Sequence, residues 1–205
     1  HWDSTRRQGW CDMSEKKAFI VPGIGYTADR SLLYFTGKMA ENAGYTRDVI
    51  GFGGFEKGVK GDPEKMKRAF RHAYNQLTEQ LPEDAAEGDI FISKSIGTAV
   101  SLHADLKKGI RARHILFTPL AETMHELRLL LESQGSERAK DIIVFHGLKD
   151  PWAPDNEQLS EDAEECGVTY YEVTDANHSL ETGEVMTDIG NLRGILEACG
   201  EFISN

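Results

Sequence analysis

The hydrophobic pattern of this chain switches repeatedly between two periods, and that alternation restricts the fold more than any other feature. Six short runs are apolar, β-branched or aromatic: AFIV (Ala18–Val21), RDVIGF (Arg47–Phe52), DIFI (Asp89–Ile92), HILF (His114–Phe117), DIIVF (Asp141–Phe145) and VTYYEV (Val168–Val173). Several are apolar throughout, which suits strands covered on both faces, as in a parallel sheet. The segments between them carry a helical period. Leu32, Leu33, Phe35 or Thr36, Met39 and Ala40 make a stripe ending near Gly44. Asp62-Pro63-Glu64 is a strong helix start, with Asp as N-cap and Pro at the first position, followed by the stripe Met66, Phe70, Ala73, Leu77 and Leu81. Further stripes run from Leu120 to Leu131, from Leu159 to Cys166 and from Leu192 to Cys199. Strands alternating with helices imply right-handed crossovers. The expected architecture is a single-domain α/β fold, a doubly wound and mostly parallel sheet of about six strands. A length of 205 residues suits one well-buried domain.

The formal net charge of −11 argues against nucleic acid as a partner, because phosphate contacts need clustered Lys and Arg. No run approaches the roughly 18 apolar residues of a membrane span, so no membrane partner is expected. The opening HWDSTRRQGWCD lacks the apolar core of a signal peptide. Residues 1–12 are therefore expected to be a tag remnant ahead of a natural start at Met13. Cys11, Cys166 and Cys199 are few and have no metal-type spacing, which predicts reduced thiols and a cytoplasmic location. No paired histidines accompany a carboxylate at helical spacing, so no metal is expected, and no cofactor either.

The stretch GDIFISKSIGT (Gly88–Thr98) admits two kinds of chemistry. Gly88 and Lys94-Ser95 nearly spell a phosphate loop. That loop needs its intervening residues turned inward as loop backbone, whereas Asp89–Ile92 is the best strand in the region, and Ser93 replaces the second glycine. The glycines of VPGIG follow a strand but fail the dinucleotide fingerprint at its third position. The second possibility is a nucleophile elbow. There, a serine sits on a tight strand-to-helix turn between small neighbours. DIFI supplies the strand, Ser93 and Gly97 the small flanks, and Thr98–Leu106 the helix.

A serine hydroxyl needs a histidine to accept its proton and a carboxylate to orient that histidine. On an open α/β sheet these groups come from loops at the carboxyl ends of the strands. Asp150 follows the fifth strand and His178 the sixth, in the chain order Ser95, Asp150, His178. Asp175 is a rival acid on the histidine's own loop. His72, His103 and His125 lie within helices, His114 starts a strand, and His146 belongs to a His-Gly pair, so none competes strongly with His178.

With these motifs the chain resembles the α/β-hydrolase superfamily over Ala18 to the C-terminus, with residues 13–205 as the hydrolase domain. HGLKDPWAP (His146–Pro154) is similar to the family's acid loop, H-G-x-x-D-x-x-x-P. The resemblance implies a catalytic triad of Ser95 as nucleophile, His178 as general base then acid, and Asp150 as orienting carboxylate. It also implies an oxyanion hole from the backbone N–H groups of Ile96 and of Ile24 or Gly25, in PGIGYT (Pro22–Thr27), where Pro22 stands in place of the usual histidine. Gly23, Gly25, Lys94, Glu122 and Trp152 are expected to border the substrate. Lys94 is read either as a solvated charge or as an attractor of acidic substrates. The loop Gly53–Gly61 is a mobile surface loop or a border of the substrate. The short step after HILFTPL leaves no room for a cap domain, so a shallow, open site is expected. The implied function is a cofactor-free serine hydrolase acting on small carboxylic esters or thioesters through an acyl-enzyme. The alternative is a non-catalytic binding protein with the same fold. Oligomeric state is open.

Overall fold

The structure, a computed structural model, describes residues 15–153 and 155–205. Residues 1–12, Met13 and Pro154 of the acid loop therefore lie outside the described residues. Six parallel strands form one sheet in the order β2-β1-β3-β4-β5-β6. They are β1 (Lys17–Val21), β2 (Thr46–Val49), β3 (Ile90–Lys94), β4 (Arg113–Phe117), β5 (Ile142–Gly147) and β6 (Thr169–Val173). The connecting helices are α1 (Ser31–Asn42), α2 (Pro63–Gln80), α3 (Ile96–Lys108), α4 (Ala121–Gln134), α5 (Asn156–Cys166) and α6 (Val185–Ser204).

The strands that read as continuously apolar are the inner ones. Every residue of β3 and β5 is buried. Helices α1 and α6 cover one face, where Leu33, Ala40, Ile195 and Cys199 pack on Ile20, Ile92, Ile115 and Phe145. Helices α2 to α5 cover the other, with Ala73, Leu77 and Val100 on Phe19 and Phe91, and Leu127, Leu130 and Leu159 on Leu116 and Val144. Within the α1 stripe the structure selects Thr36, fully buried, over Phe35, which is exposed. The N-cap at Asp62 forms as its sequence demands: the carboxylate accepts from the N–H of Glu64 and Lys65. Strand β2 stops at Val49, earlier than the apolar run suggests. Past Ile50 the side chains of Gln80 and Gln76 take over the backbone partners of Gly51 and Gly53, and the ladder ends.

The order of strands places β2 on one side of β1 and β3 on the other. The chain leaves β1 and β3 in opposite directions, which opens a crevice between their carboxyl ends. Gly23 and Ser95 meet there. Cys166 and Cys199 are both free thiols, and no helix is long and apolar enough to cross a membrane among the described residues.

Candidate active site

Ser95 caps α3 with φ 55° and ψ −124°, a sparsely populated backbone region for a residue with a side chain. Such a conformation costs about 1–3 kcal/mol and persists only where its surroundings over-determine it. Here they do. The Ser95 N–H donates to Phe117 O at 2.9 Å. Its carbonyl accepts from the Thr98 hydroxyl at 2.6 Å, and that hydroxyl is paired with Thr123 on α4 at 2.7 Å. Gly97 permits the turn to lie against β1: a Cβ there would sit 2.5 Å from Pro22 O and 2.7 Å from Val21 O. Both obstacles are backbone atoms that cannot swing away. Gly97→Ala is thus expected to destabilise the protein by about 3 kcal/mol, measurable as a lowered denaturation midpoint. Ser93, where the resembled motif has glycine, is accommodated by a buried hydrogen bond to Ser101 Oγ at 3.0 Å.

The three separated residues come together. His178 Nε2 lies 2.8 Å from Ser95 Oγ, and His178 Nδ1 lies 2.7 Å from Asp150 Oδ2. The other Asp150 oxygen accepts from the Trp152 N–H at 2.8 Å, so the carboxylate has both faces held. Gly147 lets the β5 end approach the histidine loop, since a Cβ there would be 2.5 Å from Ala176 O. Asp175 is turned outward in an exposed ion pair with Lys149. The other histidines have partners elsewhere: His72 with Gly53 O, His103 with Glu126, His114 with Asp105 and His146 with Asn156. His125 is exposed on α4.

Burial is the largest influence on His178 and, with the charges of Lys94 and Lys60, holds its pKa below the ordinary histidine value despite Asp150. The ring is therefore neutral at pH 7 and its Nε2 lone pair is free for a proton. Burial works against the Asp150 carboxylate, but the His178 hydrogen bond and charge, the Trp152 N–H and Lys94 outweigh it, so its pKa stays below the usual value.

Ile96 is the first residue of α3, where a backbone N–H has no intrahelical acceptor. On the β1 side Gly23 donates its N–H to Tyr26 O at 3.2 Å. Gly23 itself backs onto Ser95, its missing Cβ only 3.0 Å from Ser95 Cβ. Ile24 is the next residue along and is partly exposed.

Two clefts flank this centre. One, of about 400 Å³, is lined by Val59, Met66, Leu120 and Trp152, with Lys60 and Glu122 at its border. The Trp152 ring stacks on His178 with centroids 5.6 Å apart, and Lys60 Nζ lies over the same indole, 5.6 Å from its centroid. The other cleft, about 330 Å³, is lined by Gly23, Ile24, Gly25, Arg47, Phe52 and Phe55. The loop after β2 thus borders both clefts, with Val59 buried rather than waving in solvent. Only three residues join β4 to α4, consistent with an uncapped site.

Lys94 departs from the sequence expectation. It is neither solvated nor at the substrate surface: its relative exposure is 0%. As the last residue of a strand buried on both faces, it points into the core side of the sheet. Its Nζ donates to Thr118 Oγ1 at 2.6 Å and to the carbonyl of His178 at 2.5 Å, and lies 4.8 Å from the Tyr26 ring centroid. Sequence reasoning also missed the Thr98–Thr123 pair and Thr118. Among the described residues no group of three or more His, Cys, Asp or Glu gathers to hold a metal ion.

No protein-family model matches the chain, and no curated protein sequence matches it either. Solved structures do. The ydeN gene product from B. subtilis aligns at TM-score 0.59 and 17% identity, covering 93% of this chain and 100% of that one. The mouse alpha/beta hydrolase domain-containing protein 10 aligns at TM-score 0.61 and 12% identity, over 91% and 89%. An alpha-beta serine hydrolase homologue from Coxiella burnetii aligns at TM-score 0.54 and 16% identity, over 91% and 85%. The chain has the α/β-hydrolase fold, in a form whose described sheet is six parallel strands.

Proposed function

We propose that this protein is a serine hydrolase that cleaves small carboxylic esters or thioesters through an acyl-enzyme. One observation carries the reading: a single imidazole bridges Ser95 Oγ and Asp150 Oδ2 at 2.8 and 2.7 Å. In the first half-reaction Ser95 Oγ attacks the acyl carbon while its proton passes to His178 Nε2. The resulting oxyanion is held by the N–H groups of Ile96 and Ile24, a stabilisation worth about 3 kcal/mol per donor. The proximity of Gly23 to Ser95 favours Ile24 over Gly25 for this role. Imidazolium then protonates the departing alcohol or thiol, and acyl-Ser95 remains. Water, deprotonated by His178, attacks the acyl carbon, and Ser95 takes back its proton as the acid leaves. Asp150 stays ionised throughout and stabilises the imidazolium.

The apolar cleft beside Trp152 is the seat of the acyl group. At about 400 Å³ it lies near the small end of ligand sites, roughly 300–1,000 Å³. A panel of aryl esters and acyl-thioesters of graded length should therefore show turnover that is best for short acyl groups and falls with chain length. Labelling by a fluorophosphonate without turnover of any ester, thioester or amide would instead mark a ligand-binding protein. The pH dependence follows from His178. Its neutral form is the base and its pKa lies below the ordinary value. The acid limb of kcat/KM is thus expected to have its midpoint below about 6.5, with a plateau by neutral pH.

A further inference from the structure

We propose that Lys94 is a positioning residue that acts through His178: its buried side chain ties the histidine's own carbonyl to the end of β4 and holds a buried amine against the histidine's loop. The functional consequence rests on the serine-hydrolase reading above. The tether is visible in the hydrogen bonds. The Thr118 hydroxyl donates to Phe117 O at 2.8 Å, so it accepts from Lys94 Nζ. The second Nζ donor goes to His178 O. One side chain thereby joins the strand that carries the nucleophile, the β4 end and the β6–α6 loop that carries the base. Thr118 is itself held at φ 52°, in the left-handed region, where it meets Nζ.

The surroundings of the amine come from every neighbouring element. Tyr26 and Arg30 face it from the β1–α1 segment, Asp150 from the β5–α5 loop, and His178 and Glu181 from the β6–α6 loop. Burial dominates and brings Lys94 down to about 7, with Asp150 and Glu181 opposing and Arg30 assisting. Both the ammonium and the neutral amine can make the two donated bonds, so the tether persists through this titration. The charge does not, but it is present below pH 7, where His178 would otherwise take up its proton. There it opposes the imidazolium. Lys60, the other cation acting on the ring, lies on the loop before α2 and is untouched by changes at Lys94.

The two roles separate by substitution. Lys94→Met removes both tether and charge. Lys94→Gln removes the charge but keeps a donor for His178 O. NMR titration of the His178 imidazole in the full chain should show its midpoint rise by about one pH unit in both variants. Fluorophosphonate labelling of Ser95 should become about tenfold slower on the acid limb in both, and slower at every pH in Lys94→Met alone. An unmoved midpoint in a folded variant overturns the proposal, as does a uniform loss of rate without a shifted limb. Should neither variant fold, a wild-type His178 midpoint at or above about 6.5 overturns it. Absent labelling of wild-type Ser95 together with a shifted midpoint would overturn the hydrolase reading and leave the electrostatic coupling standing. Normal labelling with an unmoved midpoint would do the reverse.

Discussion

Ser95→Ala is expected to lose fluorophosphonate labelling entirely and to lower kcat for an aryl ester by about 10⁶-fold. The substitution removes the hydroxyl proposed to attack and leaves everything around it in place. Alanine meets the same backbone strain at φ 55° that serine already bears, so the elbow gains no new conflict. The one side-chain hydrogen bond lost is that to His178 Nε2 at 2.8 Å, and the His178 side chain is partly exposed. Stability should change by less than about 1 kcal/mol, read from a denaturation curve. Folded protein with labelling equal to wild type would sink Ser95 as the nucleophile.

Asp150→Asn is the next largest expected effect, a fall of about 10⁴-fold in kcat with labelling slowed in parallel. The cause is the tautomer of His178. A carboxylate can only accept, so it selects the ring with its proton on Nδ1 and its lone pair on Nε2, facing Ser95. An asparagine amide can donate to Nδ1 instead, which puts the proton on Nε2, where it blocks transfer from the serine. The Trp152 N–H can still be received by the amide oxygen, so the loop should keep its shape. The same change removes the negative charge facing buried Lys94. Lys94 should then titrate lower still. A kcat within about tenfold of wild type, in folded protein, would remove Asp150 from the mechanism and return attention to Asp175.

Much of the architecture was legible because a parallel sheet writes itself into short apolar runs. Ile90 to Ile92 and Ile142 to Phe145 have helices over both faces, so no polar alternation is tolerated there. The start of helix α2 was legible to the residue, since the Asp62 carboxylate accepts from the orphan N–H groups of Glu64 and Lys65 ahead of Pro63 at the first position, while Leu81, the last residue of the expected stripe, is the extended C-cap just past the helix. The end of β2 was not legible: Gln76 and Gln80 are polar helix residues whose role appears only when α2 lies beside Gly51 and Gly53. Lys94 carries its signal in the strand pattern. Period-2 alternation puts it on the same face as Ile90 and Ile92, in a strand covered on both sides.

For the site, the sequence by itself determined the chemistry-bearing residue types and their order, Ser95, Asp150 and His178, each just past a strand. Loops at one edge of a parallel sheet must converge, so order and position suffice for that much. Only the tertiary structure decided which acid faces the histidine, which ring stacks on the imidazole and which clefts flank it. Those depend on distances between residues 28 to 84 positions apart, from the Asp150–His178 pair to Lys94 Nζ and His178 O. The packing of six strands sets such distances, and no local pattern encodes them. A lysine beside Ser95 looks like a wet charge until the sheet closes around it.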